Sequence, residues 1–453
     1  MSTASIAADE LFRGQALLGA CPSVFSGLSR DSRSVRPGEA FVAQSDEPSH
    51  VSEALRRGAA TVVTSALHPL PSALATPHPR FAFARASCAA HELDRRCPPL
   101  LAATGTKGKS TITHLVWWLL GSGAARVGTI GWHDGVTERP NRQTTPPPDE
   151  LHAFLAGLPT QCPGVALEAS SHGCDQFRLA GLMLSGLAVT GIGHDHLDYH
   201  GTQAAYVAAK LRAVQLLAPG ARLILNSDDA YVEEFAAAGA RVGAQMFMLS
   251  GERGAGSGET AFRHLPPGRF NRWNAEAALL LVEALGVKRD VALARLASMP
   301  AIPGRMERLA EAPVTYVDYA HTAESIAQVI SAVREAHPGA PLAIVFGCGG
   351  DRDRSKRAPM GAAAAAADLV VVTTDNSRSE DPQVIAAEIV AGLGAYSYVI
   401  EPERAAAIRL ARQWVGLAGV VIVAGKGHET TQDIRGVVSA WDDRAFVRSL
   451  ESA

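Results

Sequence analysis

The sequence has few of the features that mark secreted, membrane-bound or nucleic-acid-binding proteins. Its six cysteines form no C-x-x-C pair, which argues against a zinc site or a redox motif and favours reduced thiols in a cytoplasmic protein. No uncharged apolar run approaches the roughly 20 residues that span a bilayer. The first fifteen residues, MSTASIAADELFRGQ, lack the basic start and the apolar core of a signal peptide. A net charge of -3 gives no basis for binding nucleic acid or a membrane surface.

What the sequence does contain is enough apolar material for several globular cores. Of its 453 residues, 47% are hydrophobic and 19% are charged. At roughly 150 residues per domain, this length corresponds to about three domains. The patterns along the chain divide it into blocks 1–98, 99–303 and 304–453. We expect a monomer that acts on small molecules.

The second and third blocks alternate short apolar runs with helical segments. In the second block the predicted strands are LLAAT, RVGTIG, GVALEAS, GLAVTGI and RLILNS, with helices such as DELHAFLAGL and AAYVAAKLRAVQLLA between them. The third block repeats the rhythm with VTYVDYA, LAIVFGCGG, LVVVTTD and GVVIVAG. This alternation predicts an α/β fold with two mainly parallel sheets, each covered by helices on both faces. In such sheets ligands bind beyond the carboxyl ends of the strands.

The first block is less regular. EAFVAQ, AATVVTS and RFAFA are predicted strands, and the proline content of HPLPSALATPHPR predicts a loop. In the second block, the glycine-rich stretch SGERGAGSGE is also predicted to be a loop.

The stretch LLAATGTKGKSTITHLVWWLL has the layout of a phosphate-binding loop, because a strand, a glycine-rich turn, Lys-Ser and a helix follow one another. Gly105 and Gly108 allow a tight turn whose N–H groups face a phosphate, beside the positive end of the helix dipole. Lys109 can reach the terminal phosphates, and Ser110 or Thr111 can bind Mg²⁺. The loop is two residues shorter than the G-x-x-x-x-G-K-[ST] pattern, since only Thr106 and Lys107 separate its glycines.

Further motifs follow in a fixed order: NRQTTPPPDEL, EASSHGCDQFRL, HDHLDYHGTQAAYVAAK, FNRWNAEAA, PGRMERL, VDYAHTAES, FGCGGDRDRSKR, DNSRSEDP and AGKGHET. Together with TGTKGKST, this series resembles the Mur ligases, which join amino acids to peptidoglycan precursors. The pattern is most similar to that of the members that add the third residue, the UDP-N-acetylmuramoyl-tripeptide synthetases. The resemblance covers almost the whole chain.

The resemblance implies a three-domain Mur ligase architecture. A small N-terminal α/β domain (1–98) would bind the acceptor, a central P-loop ATPase-like domain (99–303) would bind ATP, and a C-terminal Rossmann-like domain (304–453) would bind the amino acid. ATP would phosphorylate an acceptor carboxylate, and the amine of an amino acid would then displace the phosphate, with Mg²⁺ as cofactor. We expect addition of meso-diaminopimelate to UDP-N-acetylmuramoyl-L-alanyl-D-glutamate in peptidoglycan precursor synthesis.

Five residues are expected to carry the chemistry: Lys109, Glu168, His196, Lys210 and Arg305. Glu168 ends a predicted strand beside the phosphate loop, where a carboxylate suits Mg²⁺. On its own, Lys210 would be assigned to a solvated helix face. The resemblance implies instead that Lys210 is carbamylated and holds Mg²⁺ together with Ser110, Glu168 and His196, which requires a lysine pKa lowered by burial. Arg305, at the hinge to the third block, could reach the γ-phosphate only when the domains close.

Three sets of binding residues are implied by the same resemblance. The ATP set is Gly105, Thr106, Gly108, Lys109, Ser110, Thr111, Asn274, Arg305, Asp318 and His321. The acceptor set is Ser32, Thr144, Thr145, Ser171, Gln176 and Arg178. The amino-acid set is Arg352, Asp375, Asn376, Arg378, Gly425 and Glu429. Asp318 ends a predicted strand and could hold ribose hydroxyls, and Arg378 offers a planar fork to a second carboxylate, which favours a diamino diacid.

The sequence departs from the family mainly on the acceptor side. Asp31, Ser32 and Arg33 match the uridine-binding domain, but the loop that follows in the family is replaced by the shorter QSDEPSHVSEALRRGAA. Lys107 replaces an asparagine of the phosphate loop, and Ser377 replaces a proline of the amino-acid motif. One alternative is therefore a paralogue that ligates an amino acid to a carboxylate without a uridine nucleotide. The others are a ligase that adds glutamate to folate and a non-catalytic binding module.

Overall fold

A computed structural model describes residues 6–8, 12, 19, 22–45, 47–65, 73–141, 143–250, 262 and 265–451. These residues form three α/β units that follow one another along the chain. Residue 98 lies between the helix Leu93–Arg96 and the strand Leu100–Thr104, and residue 303 lies between the helix Arg289–Ala297 and the strand Glu307–Glu311. Across the described ranges, no helix combines the length and the apolar character of a membrane span.

The N-terminal unit is built on a small parallel sheet. Its elements are β1 (Ile6–Ala7), β2 (Val24–Phe25), β3 (Leu28–Ser29), β4 (Ala40–Val42), α1 (Pro48–Arg56), β5 (Thr61–Thr64), β6 (Ala73–Ala75), α2 (Pro79–Ala90) and α3 (Leu93–Arg96). The sheet has the order β3-β4-β5-β6, and β1 and β2 form a separate antiparallel pair. The strands predicted in EAFVAQ and AATVVTS are confirmed as β4 and β5.

Two predictions for this unit are wrong. RFAFA lies in α2 rather than in a strand, because Pro79 occupies the first turn of a helix, where its missing N–H costs nothing. Ala82, Phe83 and Ala86 are buried at helical spacing, so the short alternation of RFAFA was ambiguous. The predicted loop HPLPSALATPHPR contains a strand, Ala73–Ala75, which pairs with β5. The predicted loop SGERGAGSGE falls, except for its first residue, outside the described residues.

The central unit contains an eight-stranded sheet. Its elements are β7 (Leu100–Thr104), α4 (Lys109–Leu120), β8 (Ala125–Gly128), β9 (Gly131–His133), β10 (Glu138–Arg139), α5 (Pro148–Ala156), β11 (Val165–Glu168), α6 (Ser171–Asp175), β12 (Leu184–Val189), α7 (Leu197–His200), α8 (Gln203–Val214), β13 (Leu217–Asn226), α9 (Val232–Arg241), β14 (Gln245–Leu249), α10 (Arg269–Glu283) and α11 (Arg289–Ala297). The strand order is β10-β9-β8-β11-β7-β12-β13-β14. The pairs β8–β9 and β9–β10 are antiparallel, and the other described pairs of this sheet are parallel.

The C-terminal unit contains a six-stranded sheet and a hairpin. Its elements are β15 (Glu307–Glu311), β16 (Val314–Val317), α12 (Ala323–Ala336), β17 (Leu342–Phe346), a 3₁₀ turn (Arg354–Lys356), α13 (Arg357–Ala364), β18 (Leu369–Val372), α14 (Pro382–Val390), β19 (Tyr398–Ile400), α15 (Arg404–Val415), β20 (Val420–Val423), β21 (Thr431–Ile434), β22 (Val437–Ala440) and α16 (Asp443–Glu451). The sheet has the order β15-β16-β20-β17-β18-β19, with β15 antiparallel to β16. The hairpin consists of β21 and β22.

Both large sheets are buried on both faces, which confirms the predicted α/β fold. Every residue of β7, β11, β17 and β20 is buried, and a separate apolar cluster covers each face of each sheet. Parallel sheets of this kind leave only the ends of their strands open to ligands. The carboxyl ends of β11, β7 and β12 are adjacent in the central sheet, and those of β16, β20, β17 and β18 are adjacent in the C-terminal sheet.

Candidate active site

The phosphate loop joins β7 to α4, as predicted, and two of its positions require glycine. Gly105 has a φ of +134° and Gly108 a φ of +77°, in the region that residues with a Cβ rarely adopt. A Cβ on Gly105 would collide with the Thr190 hydroxyl, and one on Gly108 would lie 2.7 Å from Asn274 Oδ1. The loop is therefore packed tightly against β12 and α10 and has a fixed shape.

Two lysines meet at the start of this loop. Lys109 Nζ donates to the carbonyl oxygens of Gly105 and Thr106, both at 3.0 Å, and Lys210 Nζ donates to Gly105 O at 2.6 Å. Lys210 is 1% exposed, so a solvated helix face for this residue is wrong. Burial, followed by the charge of Lys109, lowers the pKa of Lys210 well below its ordinary value. An amine of this kind is available in its neutral form, which carbamylation requires.

Glu168 ends β11 beside the loop and is held in one orientation. Its Oε1 accepts the Thr129 N–H at 2.7 Å and its Oε2 accepts the Thr129 hydroxyl at 3.0 Å. The Thr129 hydroxyl in turn lies 2.9 Å from that of Thr144. A side chain on Gly128 would collide with the carboxylate. A buried carboxylate that is fixed next to a phosphate loop can present its remaining lone pairs to a cation.

His196 lies past β12, at the start of α7, with a left-handed backbone φ of +55°. Asp195 Oδ1 accepts the His196 N–H at 2.9 Å. Desolvation in the cleft lowers the pKa of His196 to about 4, with nearby positive groups, including Lys109 and Lys210, adding to the shift. At neutral pH the ring is therefore uncharged and has a free nitrogen lone pair, the form that binds metals.

Arg305 links the C-terminal unit to the phosphate loop. Its Nη2 donates to Ser110 Oγ at 2.9 Å, and its guanidinium lies 4.4 Å from the centre of the Tyr319 ring. The sequence placed Arg305 at a hinge and expected it to reach the nucleotide only after closure. In this structure Arg305 already contacts Ser110 of the phosphate loop, and its contact with the γ-phosphate stays a prediction.

Asp318 and His321 lie at the carboxyl end of β16. Asp318 Oδ2 accepts the Met306 N–H and Oδ1 accepts the Ala320 N–H, both at 2.7 Å, and burial raises the pKa of this carboxyl. Each carboxyl oxygen keeps one lone pair for a hydroxyl donor. His321 Nδ1 lies 2.7 Å from Tyr319 O, and because a carbonyl only accepts, Nδ1 carries the proton and Nε2 is an acceptor.

The amino-acid set surrounds a buried lysine that the sequence did not single out. Lys426 is 0% exposed, and its Nζ donates to Asn376 Oδ1 at 3.2 Å and to Glu429 Oε2 at 3.1 Å. Asn376 Nδ2 donates to the same oxygen of Glu429 at 2.8 Å. Since an ammonium only donates, Lys426 fixes the orientation of the Asn376 amide. Arg378 reaches across to the Gly350 carbonyl.

At Gly304, the segment that enters the C-terminal unit packs against the AGKGHET loop through backbone atoms alone. A Cβ on Gly304 would collide with the backbone of Gly427 and His428, and Gly304 has a φ of +61°. A Cβ on Gly427 would lie 2.8 Å from Gly304 O. Both positions therefore require glycine.

The acceptor set is only partly gathered. Arg178 lines the cleft, where it donates to Thr145 O at 2.5 Å and to Gln176 Oε1 at 2.7 Å. Gln176 instead contacts Arg178 and the Tyr199 hydroxyl, the latter at 3.1 Å, so it supports the cleft from outside. Ser32 is buried in the N-terminal unit and does not line the cleft.

The cleft is a cavity of about 730 Å³ between the central and C-terminal units. From the predicted sets it is lined by Thr106, Gly108, Lys109, Ser110, Thr111, Thr144, Thr145, Glu168, Ser171, Arg178, His196, Lys210, Asn274, Arg305, Asp318, His321, Arg352, Asp375, Asn376, Arg378, Gly425 and Glu429. Gly105 contributes through its carbonyl oxygen, behind the loop.

Sequence reasoning missed several residues of this site. Thr129 follows β8 with no motif around it, and its role depends on β8 lying next to β11. Tyr206 lies one helical turn before Lys210 and its hydroxyl is 3.0 Å from Thr106 Oγ1. The i, i+4 spacing of Tyr206 and Lys210 places both on one helix face, and this was the one sequence signal that could have identified Tyr206.

The residues present suit Mg²⁺. This ion usually takes one or two carboxylates together with substrate phosphates and keeps several waters, rather than a cage of protein ligands. The buried carboxylate of Glu168, the Ser110 hydroxyl and the uncharged ring of His196 all face the same cleft as the phosphate loop. Among the described residues no group of three His, Cys, Asp or Glu forms such a cage.

Comparison with known proteins agrees with this arrangement. The family model for the Mur ligase middle domain matches residues 103–282, and the one for the Mur ligase, glutamate ligase domain matches residues 304–427. The UDP-N-acetylmuramoyl-L-alanyl-D-glutamate–2,6-diaminopimelate ligase of Rhizobium meliloti is 36% identical over 93% of both chains. The enzyme of that name from Alkalilimnicola ehrlichii is 37% identical over 94% of both chains.

Solved structures give the same result. A structure of a UDP-N-acetylmuramoyl-L-alanyl-D-glutamate–2,6-diaminopimelate ligase matches with a TM-score of 0.68 and 29% identity over 98% of both chains. The folylpolyglutamate synthase of Mycobacterium tuberculosis matches with a TM-score of 0.60, at 18% identity, over 77% of this chain and 92% of that one, which shows a shared fold alone. Both the sequence relatives and the fold lead to one assignment: this chain belongs to the Mur ligase family of ATP-dependent ligases.

Proposed function

We propose that this protein joins meso-diaminopimelate to the D-glutamate carboxylate of UDP-N-acetylmuramoyl-L-alanyl-D-glutamate, using ATP. The observation that carries the proposal is a single cleft that combines a phosphate loop with an arginine and a carboxylate suited to a diamino diacid. Two relatives that are 36% and 37% identical to this chain are UDP-N-acetylmuramoyl-L-alanyl-D-glutamate–2,6-diaminopimelate ligases by name, which supports the proposal.

In the first step the acceptor carboxylate attacks the γ-phosphorus of ATP, which gives an acyl phosphate and ADP. Positioning and charge neutralisation dominate such transfers. Lys109 and Arg305 are the cations that we assign to the transferring phosphoryl group, since both reach the phosphate loop from different units. When bound, Mg²⁺ would neutralise charge on the phosphates, and Ser110, Glu168, His196 and a carbamylated Lys210 would hold it.

In the second step the amine attacks the acyl carbon, and the tetrahedral intermediate expels inorganic phosphate to leave an amide. The amine nitrogen loses its proton in the process. Thr144, Thr145, Ser171 and Arg178 are assigned to the acceptor, because they line the part of the cleft around Glu168. A bound acceptor would thus present its carboxylate between the phosphate loop and the C-terminal unit.

At the far end of the cleft, Arg378 is assigned to the distal carboxylate of the amino acid. Asn376 and Glu429 are assigned to its distal ammonium. Lys426 neutralises part of the Glu429 charge and holds both groups in place. Lysine as substrate would leave the Arg378 guanidinium without a carboxylate partner, which costs binding energy.

The test is direct turnover. Purified protein is incubated with ATP, Mg²⁺, UDP-N-acetylmuramoyl-L-alanyl-D-glutamate and either meso-diaminopimelate or L-lysine, and products are identified by mass. Formation of the tripeptide nucleotide with meso-diaminopimelate, and at least about tenfold less with lysine, is expected. Rapid turnover with lysine would overturn the assignment of the amino acid.

One observation favours a second candidate, a ligase for a carboxylate without a uridine nucleotide. Among the residues that the structure describes, the cleft lining begins at Thr106, and Ser32 does not reach it. ADP release with truncated acceptors such as L-alanyl-D-glutamate would support this candidate, provided that the uridine nucleotide gives no advantage. Folate with glutamate serves as the third acceptor in the same assay.

A further inference from the structure

An ion pair joins the phosphate loop to the C-terminal unit. Lys107 lies inside the loop and Glu324 in the first turn of α12, and Lys107 Nζ is 2.9 Å from Glu324 Oε2. The two residues are far apart in sequence and belong to different units. The pair therefore forms only when the C-terminal unit closes on the loop.

The surroundings hold each partner in place. Thr190 Oγ1 donates to the Lys107 carbonyl oxygen at 2.5 Å, which fixes the backbone of the loop at this position. On the other side, α12 begins with a capping box between Thr322 and Ser325, so Glu324 projects from a well-anchored turn. Asp195 is the other charged group acting on Lys107, and it also attracts the ammonium.

Gly193 leaves the room that Glu324 needs. A Cβ on Gly193 would collide with Glu324 Oε2, and its N–H donates to the Thr106 hydroxyl at 2.8 Å. The Glu324 carboxylate thus fits into a gap between the loop and the segment after β12. Because the side chain is flexible, even a methyl group at Gly193 would push it away from Lys107.

We propose that Lys107 and Glu324 are a positioning pair that holds the C-terminal unit closed over the phosphate loop, so that the bound amine meets the acyl phosphate. The kinetic test of this inference rests on the proposed function, whereas the measurement of closure by scattering does not. Neither residue takes part in the chemistry; the pair acts together with the contact between Arg305 and Ser110, which spans the same two units.

The exposure of the two side chains sets how strongly the ion pair is expected to favour closure. Side-chain exposures of 26% for Lys107 and 50% for Glu324 describe a partly solvated pair. Such pairs change an equilibrium by about three- to fivefold, which corresponds to about 0.7 to 1 kcal/mol. Because the pair joins two units, we expect its energy to change the closure of one unit on the other more than the folding of either.

The test is a double-substitution cycle with Lys107→Gln and Glu324→Gln. We expect each single substitution to lower kcat/KM for the amino acid three- to fivefold, and the second substitution to add less than about 1.5-fold. Independent, multiplying effects would overturn the proposal. So would a loss confined to Lys107→Gln that appears only in ATP affinity, since that result would assign Lys107 to the nucleotide. Gly193→Ala is expected to reproduce the loss seen with Glu324→Gln.

A matched control is the ion pair between Arg289 and Glu276, at 2.5 Å and entirely within the central unit. Arg289→Gln is expected to leave the amino-acid KM unchanged. Closure itself is measured by small-angle X-ray scattering with a non-hydrolysable ATP analogue, without any acceptor. The pair variants should be less compact than the parent and the control. Equal compaction would overturn the positioning role, whereas absent turnover in the unmodified protein would count only against the proposed function.

Discussion

The Nζ atoms of Lys109 and Lys210 donate to one and the same carbonyl oxygen, that of Gly105, at 3.0 and 2.6 Å. Burial and the charge of Lys109 disfavour a second positive charge on Lys210, whereas a bound phosphate or a negative modification would interact favourably with Lys109. The loop is thus prepared for negative charge from two sides. This arrangement, more than the glycine pattern, distinguishes it from an ordinary helix start.

Lys109→Met is expected to lower kcat by about 100- to 1,000-fold, the range for losing a group that stabilises charge in a transition state. Amide formation is measured by mass spectrometry at saturating ATP. Lys288→Met, on an exposed position, is the matched control and should retain full activity. Undiminished coupling by Lys109→Met would contradict the assignment of this loop to ATP.

Glu168→Gln is expected to lower kcat much more than Thr129→Val does. The first removes the carboxylate charge and should lower kcat about 100-fold at any Mg²⁺ concentration. The second retains the carboxylate but removes one hydrogen bond of about 1 kcal/mol, so about a fivefold loss is expected. Raising the Mg²⁺ concentration should restore the activity of Thr129→Val but not that of Glu168→Gln. Equal restoration of both would show that Glu168 does not hold the metal.

Lys426→Met is expected to raise the KM for the amino acid about tenfold with a smaller change in kcat. The substitution removes the donor that orients Asn376 and leaves Glu429 with an uncompensated charge next to the substrate. Initial rates at varied amino acid provide the measurement. A reduced kcat with an unchanged KM would argue that Lys426 serves the chemistry rather than binding.

Acid is expected to weaken the contact between the N-terminal and central units. His152, on α5, is fully buried with Nδ1 3.0 Å from Ser87 Oγ on α2, and burial lowers its pKa to about 3. Between about pH 3 and the ordinary value of 6.5, the unfolded chain binds one more proton than the folded one. The free energy of unfolding should therefore fall as pH drops below 6.5, by up to about 1.4 kcal/mol per pH unit.

Urea unfolding of the parent and of His152→Gln at pH 7, 6 and 5 provides the measurement. The variant keeps a polar group next to Ser87 but should show a shallower pH dependence. Parallel curves for the two proteins would indicate that other groups dominate acid unfolding.

The sequence predicted most strands of the two large sheets because a buried parallel strand is a short apolar run between glycine-rich turns. For that reason LLAAT was assigned unambiguously to a strand and the segment after it to a phosphate loop, and the assignment of Lys109 to the phosphates followed from the loop. RFAFA was misassigned because five residues can satisfy both the strand and the helix period. Pro79, just before it, carried the correct signal.

The burial of Lys210, and of Lys426, which the sequence did not single out, depends on segments that are distant in the sequence. Lys426 lies between two glycines, which normally indicates an exposed turn, but it is buried and its Nζ donates to Asn376, in the segment after β18. The N–H of Asp433, on β21, donates to the same oxygen of Asn376. Lys210 likewise becomes buried only because β7 and α8 meet at Gly105. Ser32 was predicted from its motif, Asp31-Ser32-Arg33, but its side chain does not line the cleft.

The contact between Gly304 and Gly427 sets a rule for exchanging parts between related ligases. The segment that leaves the central unit and the AGKGHET loop touch through backbone atoms alone, so a side chain at Gly304 or Gly427 would collide with the facing backbone. A chimaera designed to accept another amino acid would have to transplant residues 304–429 as one piece. Junctions inside that span would place Gly304 and Gly427, whose close contact leaves no room for a side chain, on backbones from different proteins.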